Sequence, residues 1–376
     1  MEIDRRLLVR GLLVAVVVEH VLLVIWPLNV LAPLDPWVIG RHLLHGRLPY
    51  RDFAFEYPPL APLAFVLPGL VPHGVALSLL ALQEVAAEAA VAWFVLRPRG
   101  DALLRYAALS LLVFPFLSGG FDALPMGLIA LSTAWIAAGR GRGWWAAGIG
   151  ALVKVVPGVA WVWGGKRWLA AVAALVVTVV VGLAPLIVAH DATSSYVGYA
   201  LKRGVQVESV AASTTWVAHA ATGTDNRYAY RFKSWQIAGG GAEALAWELA
   251  AATGMGLLFV GARRRQMDPW LAALAAVGVF LCGSKVLSPQ FVAWGAPLAA
   301  VVGGGWFVAY TAVAALTFLA YALPSGPGAI LTFAVLRNLV LVGLTVAAVR
   351  CSLAGRCFTD ERSDPRPGVV DLGGEG

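Results

Sequence analysis

Charge is what this chain has least of. Acidic and basic residues make up 13% of its 376 positions, against 60% hydrophobic ones, and the mean hydropathy is +0.77. Soluble domains carry about 25% charged residues. A water-facing fold of this length could not hide so much apolar surface, so lipid must cover much of it. Cysteine is scarce too. Cys282 lies in an apolar stretch, and Cys351 and Cys357 follow the last one. That excludes a disulfide framework and a CxxC zinc site. The six histidines, His20, His42, His45, His73, His190 and His219, show no ligand spacing, so no metal site and no cofactor is expected. The net charge of +7 has no basic-aromatic tract behind it, which argues against a nucleic-acid partner. Repeats of the kind that many transporters show are also missing.

What is present is a succession of apolar stretches near the roughly 20 residues that span a bilayer. Arg and Lys collect in short connections between them. Arg5, Arg6 and Arg10 put the start of a first helix, residues 7–26, in the cytoplasm. It ends at Pro27 without a small-residue cleavage site, so it reads as a retained helix, not a signal peptide. The loop at 27–72 holds an amphipathic piece at 37–44 and a polar stretch at 45–57. An apolar run broken by Pro58, Pro59, Pro62 and Pro68 follows. That run is too short and Pro-rich to cross and is expected to dip into the membrane. A second helix, 75–96, returns to Arg97, Arg99 and Arg105. Helices 103–117 and 124–138 meet outside at 118–122.

Residues 144–163 lie between Arg142 and Lys166, both expected inside, so an even number of passes is needed. This predicts a hairpin of two short helices turning near Lys154 and Pro157. Helix 168–189 leads to an outer loop at 190–241, in which 209–222 reads as an interfacial helix. Further helices begin near Ala242, Pro269, Pro289, Trp306 and Ala329. The expectation is an all-α, multi-pass bundle of about 12 helical segments. It forms a single transmembrane domain over 1–358, with interfacial helices in two large outer loops and both termini cytoplasmic. A disordered tail covers 359–376.

Basic residues outside break the charge trend and need a reason. The first outer loop carries Arg41, Arg47 and Arg51 with Asp35, Asp52 and Glu56. The long one carries Lys202, Arg203, Glu208, Arg231 and Lys233, and Lys285 falls on the same side. Cations there suit an anionic substrate such as a phosphate. Simpler readings stand beside this one. Asp35 before Pro36 is a favoured helix cap. Tyr57-Pro58-Pro59 is a turn and helix start. Lys285 can snorkel to the interface, and Arg203, Gln206 and Glu208 can form a solvated face. Lys154 reads as the partner of an intramembrane acid, with Glu19, Glu84 and Glu88 as candidates. Arg337 and Asn338 fall under the same rule.

The motifs run in a distinctive order. Asp35-Pro-Trp comes first, then Gly46-Arg-Leu-Pro-Tyr50-Arg-Asp52 and Glu56-Tyr57-Pro58-Pro59-Leu60. Later come Lys154-Val-Val-Pro157, Arg203-Gly-Val-Gln206-Val-Glu208-Ser209 and Lys285-Val-Leu-Ser288-Pro289-Gln290 up to Trp294. Together these resemble the bacterial membrane glycosyltransferases of family 87, the group of the polyprenyl-phosphate-mannose-dependent mannosyltransferases. The resemblance implies a C-type glycosyltransferase fold. It implies a sugar passed from a polyprenyl-phosphate donor to a hydroxyl of a lipid-linked or glycan acceptor, outside the cytoplasm at the plasma membrane. Mannose is favoured, with pentoses open. An acid early in the first outer loop is the base in that family, and Asp35 matches it. Arg51, Glu56, Tyr57, Lys202, Arg203, Gln206, Glu208, Lys285, Ser288 and Gln290 are the expected substrate contacts. The chemistry agrees: inverting transfer needs one carboxylate to take the acceptor proton and cations to hold the departing phosphate. The competing expectation is a transporter or lipid flippase.

Overall fold

A computed structural model describes residues 5–26, 35–163, 168–189, 194–264, 267–323 and 326–354. The tail at 359–376, Lys166, Arg167, His190, Asp191 and Arg265 lie outside the described residues. Helices dominate the rest. In chain order they begin with α1 (Arg5–Ile25), α2 (Pro36–Leu44), α3 (Val66–Leu70), α4 (His73–Val91), α5 (Ala102–Leu117) and α6 (Ala123–Ala137). Next come α7 (Arg142–Val153), α8 (Ala160–Trp163), α9 (Trp168–Val188), α10 (Tyr196–Lys202) and α11 (Val210–Thr222). The last are α12 (Gly241–Arg264), α13 (Pro269–Gly283), α14 (Ala296–Val302), α15 (Gly304–Ala322) and α16 (Pro327–Ala354). Among the described residues the only strands are β1 (Tyr228–Arg231) and β2 (Ser234–Ile237), an antiparallel hairpin.

Five helical stretches are long and apolar enough to cross a membrane: 73–99, 169–188, 241–264, 304–322 and 328–354. Others, such as α5, α6 and α13, are apolar but shorter. The picture is that of an all-α membrane protein. The Pro-rich run forms a 3₁₀ turn, Ala61–Phe65, and the short α3, neither long enough to cross.

Burial follows composition. The helix α13 is apolar on every face and is buried almost throughout, as a helix without a polar side must be when it forms the core. The helix α9, equally apolar, leaves Val172, Val176, Val180 and Ile187 exposed, and lipid would solvate them. Without a hydrophobic drive between helices in lipid, close approach depends on small residues. The crossing of α2 and α3 shows this. A Cβ on Gly40 would stand 2.2 Å from the Phe65 carbonyl oxygen and 2.6 Å from Gly69 Cα.

Polar groups buried in the bundle tie its helices together. Glu88 on α4 accepts from Tyr106 at 2.7 Å and Ser110 at 2.7 Å, both on α5, and pairs with His20 Nε2 of α1 at 2.9 Å. Glu84, one turn earlier, accepts the Ala123 N–H at 2.6 Å. A carboxylate there satisfies a free donor at the start of α6 and complements its dipole.

Arg97, Arg99, Arg140, Arg142, Arg263 and Arg264 lie at the C-terminal ends of α4, α6 and α12 and the start of α7. Arg99 lies over the Trp270 ring, Arg142 over Trp135 and Arg263 over Phe259. Arg105 donates to the Ala300 carbonyl at 2.7 Å, closing the end of α14. The end away from these arginines carries α2, α3, α10, α11 and the β hairpin.

Candidate active site

The predicted hairpin at 144–163 forms, and its turn sets the site. The helix α7 stops at Val153 because Lys154 turns extended, and Pro157 continues in a 3₁₀ turn. Lys154 therefore projects back into the bundle. Its Nζ meets Asp122 Oδ1 at 2.6 Å, and Trp294 Nε1 donates to the same oxygen at 2.9 Å. The acid that Lys154 neutralises is thus Asp122, and none of Glu19, Glu84 or Glu88. Glu84 and Glu88, one turn apart on α4, already serve α6, α5 and α1, and Glu19 on α1 lies 3.8 Å from His20. Four aromatic rings surround the ammonium, those of Tyr57, Phe121, Phe291 and Trp294, at 4.8 to 5.5 Å. Such a box holds a cation while excluding water.

Glu56 and Tyr57 reach this box from the first loop. The loop is pinned by Phe55 N–H to Ser194 O at 3.1 Å, Leu60 N–H to Leu152 O at 2.8 Å, and the Tyr50 hydroxyl to Tyr57 O at 2.7 Å. Burial pushes the Tyr57 phenol well above its usual range. Glu56, Asp122 and Tyr199 push the same way, against Arg203. One phenol thus feels all four groups. Arg203 ends α10, lies over Tyr199, and reaches Ser234 Oγ at 3.3 Å. Three polar atoms from the expected contact residues are buried with no hydrogen-bond partner among the described residues: Glu56 Oε1, Arg203 Nε and Gln290 Oε1. The Glu56 side chain is 9% exposed, and Lys233 stands 3.9 Å from its Oε1.

A second group adjoins it. Gln206 and Ser288 share hydrogen bonds at 3.4 Å, and Gln206 Nε2 donates to Glu208. Tyr321 donates to the same carboxylate, and Arg337 and Asn338 donate to the Glu208 carbonyl. Burial raises Glu208 above the usual carboxylate range, although Tyr321, Arg337 and Gln206 pull it back. Lys285 joins by its backbone, with Gln206 N–H on its carbonyl at 2.9 Å, and its Nζ donates to Leu201 O at 3.3 Å. Lys202 is exposed nearby in sequence.

Asp35 and Arg51 stand apart from both groups. Asp35 Oδ1 caps α2 through the Trp37 and Val38 N–H groups, and its Oδ2 meets His73 Nε2 at 2.9 Å. Its side chain is 42% exposed. Partial burial pushes the carboxyl up. The bonds from His73, Val38 and Trp37 outweigh this and leave it below its ordinary value. Arg51 is exposed and paired with Asp52 at 2.9 Å, which holds Asp52 at about 2.

Sequence reasoning did not single out Asp122, Tyr199 or Tyr321, and it named Lys233 only as one of the outer-loop cations. The hairpin that carries Lys233 turns through Phe232 and Lys233, at φ 50° and 57°. Such turns favour Asn-Gly, so no local signal announced it. Strain of this kind persists where surrounding contacts over-determine it. Here Phe232 packs edge-on against Tyr199. Among the described residues no three His, Cys, Asp or Glu side chains are grouped as metal ligands.

Comparison with known families gives one match: the family model described as Glycosyltransferase family 87 covers residues 55–289, more than half of the chain. Glu56, Tyr57, Asp122, Lys154, Arg203, Gln206, Glu208, Lys285 and Ser288 fall inside it. Asp35, Arg51 and Gln290 fall outside. No curated protein and no solved structure matches.

Proposed function

The chain belongs to glycosyltransferase family 87, and from that premise we propose an inverting transferase that moves a sugar, mannose first, from polyprenyl phosphate to a hydroxyl of a lipid-linked or glycan acceptor. The observation that carries the reading is the set of unpaired buried atoms on Glu56, Arg203 and Gln290. Buried polar atoms are nearly always satisfied, so a partner that brings donors and acceptors of its own fits this set. A sugar phosphate does. Arg203 and Lys285 take the phosphate, while Glu56 and Gln290 accept sugar hydroxyls. The charge rule puts this end outside the cytoplasm, where a lipid carrier delivers sugar from the outer leaflet of the plasma membrane. The transporter reading has no support from the family match.

The step conserves its atoms and electrons. A carboxylate, Asp35 by the motif order, takes the proton of the acceptor hydroxyl as that oxygen bonds to the anomeric carbon, which requires the acceptor to extend from Asp35 to the sugar. The carbon–oxygen bond to phosphate breaks, and the polyprenyl phosphate leaves with the electron pair. The cations meet the charge as it grows. Against partial burial, the bonds from His73, Val38 and Trp37 hold the Asp35 carboxyl ionised and below its ordinary value, which orients the carboxylate and weakens it as a base. Glu56 is the second reading for the base, because its Oε1 is buried and free of hydrogen bonds whereas Asp35 is fully engaged.

Purified protein incubated with polyprenyl-phosphate mannose and an acceptor should release polyprenyl phosphate. If mannosyl and pentosyl carriers stay intact while a nucleotide sugar is consumed, the carrier reading fails.

A further inference from the structure

A groove lies between α4 and α6, with Arg140 and Arg142 at one end and Ala87 and Leu124, two residues beyond Asp122, at the other. Its volume is about 570 Å³, and it is lined by apolar side chains that include Val91, Phe94, Leu128, Leu131 and Trp135. Two features keep it open. Its walls carry Ala87, Ala90 and Gly127, which leave room where larger side chains would let the helices close. Next to them α4 passes into a π-helical turn, Ala92–Leu96, which supplies Phe94 and Val95 to the wall. Such widened turns are rare and occur often at binding sites.

The groove is closed at one end by charge. Arg140 and Arg142 line its mouth. Both are exposed, and neither has a carboxylate partner among the described residues. Arg142 is held in place over the Trp135 ring, 4.3 Å from its centroid. The groove runs along α6 from Leu124 to Trp135, about 17 Å at 1.5 Å per residue. Half of a bilayer's hydrocarbon core is about 15 Å. An apolar trough one leaflet deep, with two free guanidinium groups at the headgroup level, has the shape and charge of one lipid.

We infer that this groove binds one anionic phospholipid of the leaflet on the arginine-rich side, the cytoplasmic one by the charge rule. An acyl chain lies along Ala87, Ala90 and Gly127, and the phosphodiester with its net negative headgroup lies between Arg140 and Arg142. Basic pockets between membrane helices recognise anionic headgroups by the same physics. A zwitterionic lipid fills the trough but offers no net charge to the arginines. The site is independent of the sugar transferred and of the base that assists.

The test is native mass spectrometry of the full-length protein, delipidated in detergent and titrated with phosphatidylglycerol, phosphatidylcholine or polyprenyl phosphate. The first phosphatidylglycerol should be retained about thirtyfold more tightly than phosphatidylcholine, as two arginines at a headgroup allow. Combining Arg140→Gln with Arg142→Gln should remove that preference. Ala90→Phe, at an exposed wall position, should remove the first bound phosphatidylglycerol altogether. Arg263→Gln with Arg264→Gln, at the same end but outside the groove, should change nothing. Thermal unfolding of each variant reports whether it is folded. The inference is overturned if the wild type shows no preference, if the Arg140 and Arg142 variant keeps it, or if the Arg263 and Arg264 variant loses it. Retention of polyprenyl phosphate ahead of phosphatidylglycerol would overturn it as well.

Discussion

Two of the polar groups buried in this bundle are made from similar side chains and end differently. Around Glu88 each donor finds an acceptor: Tyr106 and Ser110 on one carboxylate oxygen, His20 on the other. Around Tyr57 the network stops short: Glu56, Arg203 and Gln290 each keep an atom without a hydrogen bond, and Glu56 Oε1 meets only Lys233 Nζ, at 3.9 Å. A half-satisfied buried network costs stability that a closed one does not. A protein keeps such a cost where a ligand repays it. On the proposed function the second group awaits a substrate, while the first holds helices together and leaves only Glu19 Oε2, beside His20, without a hydrogen bond.

The sharpest way to break that contrast is at the base. Asp35→Asn keeps the cap on α2, since Asn caps as well as Asp does, but it cannot take a proton. Turnover should fall by about 10² to 10⁴, with donor binding and folding little changed. If the variant keeps wild-type turnover while Glu56→Gln loses it, Asp35 is only a cap. The base then lies inside the open network.

The next effect is on stability. Lys154→Ala strands Asp122 beside Trp294 in the aromatic box, and breaking a buried pair costs about 3–5 kcal/mol. Pairing Lys154→Met with Asp122→Asn should recover most of the loss, measured by denaturant unfolding in detergent. A Lys154→Ala protein of normal stability but weakened donor binding would move Lys154 from the closed class to the open one.

Arg203→Ala should do the reverse. Its Nε has no hydrogen bond to lose, and the side chain gives up only a long bond to Ser234 Oγ and its place over Tyr199, so stability should fall by no more than about 1.5 kcal/mol. A guanidinium–phosphate bond contributes about 1.5–3 kcal/mol, so KM for the donor should rise by about 10- to 100-fold. Equal losses in stability and binding would show that Arg203 is structural, through Ser234 and Tyr199.

Much of the architecture was legible because membrane helices announce themselves. Apolar length, prolines and the placement of arginines located α4, α6, α9 and the α7–α8 hairpin to within a few residues. The motif order named Glu56, Tyr57 and Arg203, and the first and last of these both act on the Tyr57 phenol. Two things were hidden. The Asp122–Lys154 pair joins a loop aspartate to a helix break 32 positions away, and nothing local marks an acid as the partner of a distant cation. The β hairpin uses Phe-Lys where a turn wants Asn-Gly, so tertiary contacts, not sequence preference, hold it. Asp35 was legible as a residue and ambiguous as a function, because the same oxygens that could accept a proton also cap a helix.

The smallest effect falls on the closed network, and it tests whether closure rather than charge is what matters there. His20 Nδ1 faces the Val16 carbonyl at 2.7 Å. A carbonyl only accepts, so that nitrogen carries a proton. In Glu88→Gln the amide NH₂ can donate to His20 Nε2 in the neutral ring, while the amide oxygen accepts from Tyr106 and Ser110. Every bond survives without a charge. Unfolding stability should change by less than about 1 kcal/mol, and turnover per folded molecule should stay the same. Glu88→Leu has the same bulk but strands the donors on α5 and leaves His20 Nε2 without a partner, at about 1–3 kcal/mol for each unsatisfied group. If Gln proves as damaging as Leu, the carboxylate charge itself is required. Glu88 would then belong with the chemistry at the open end and not with the scaffold.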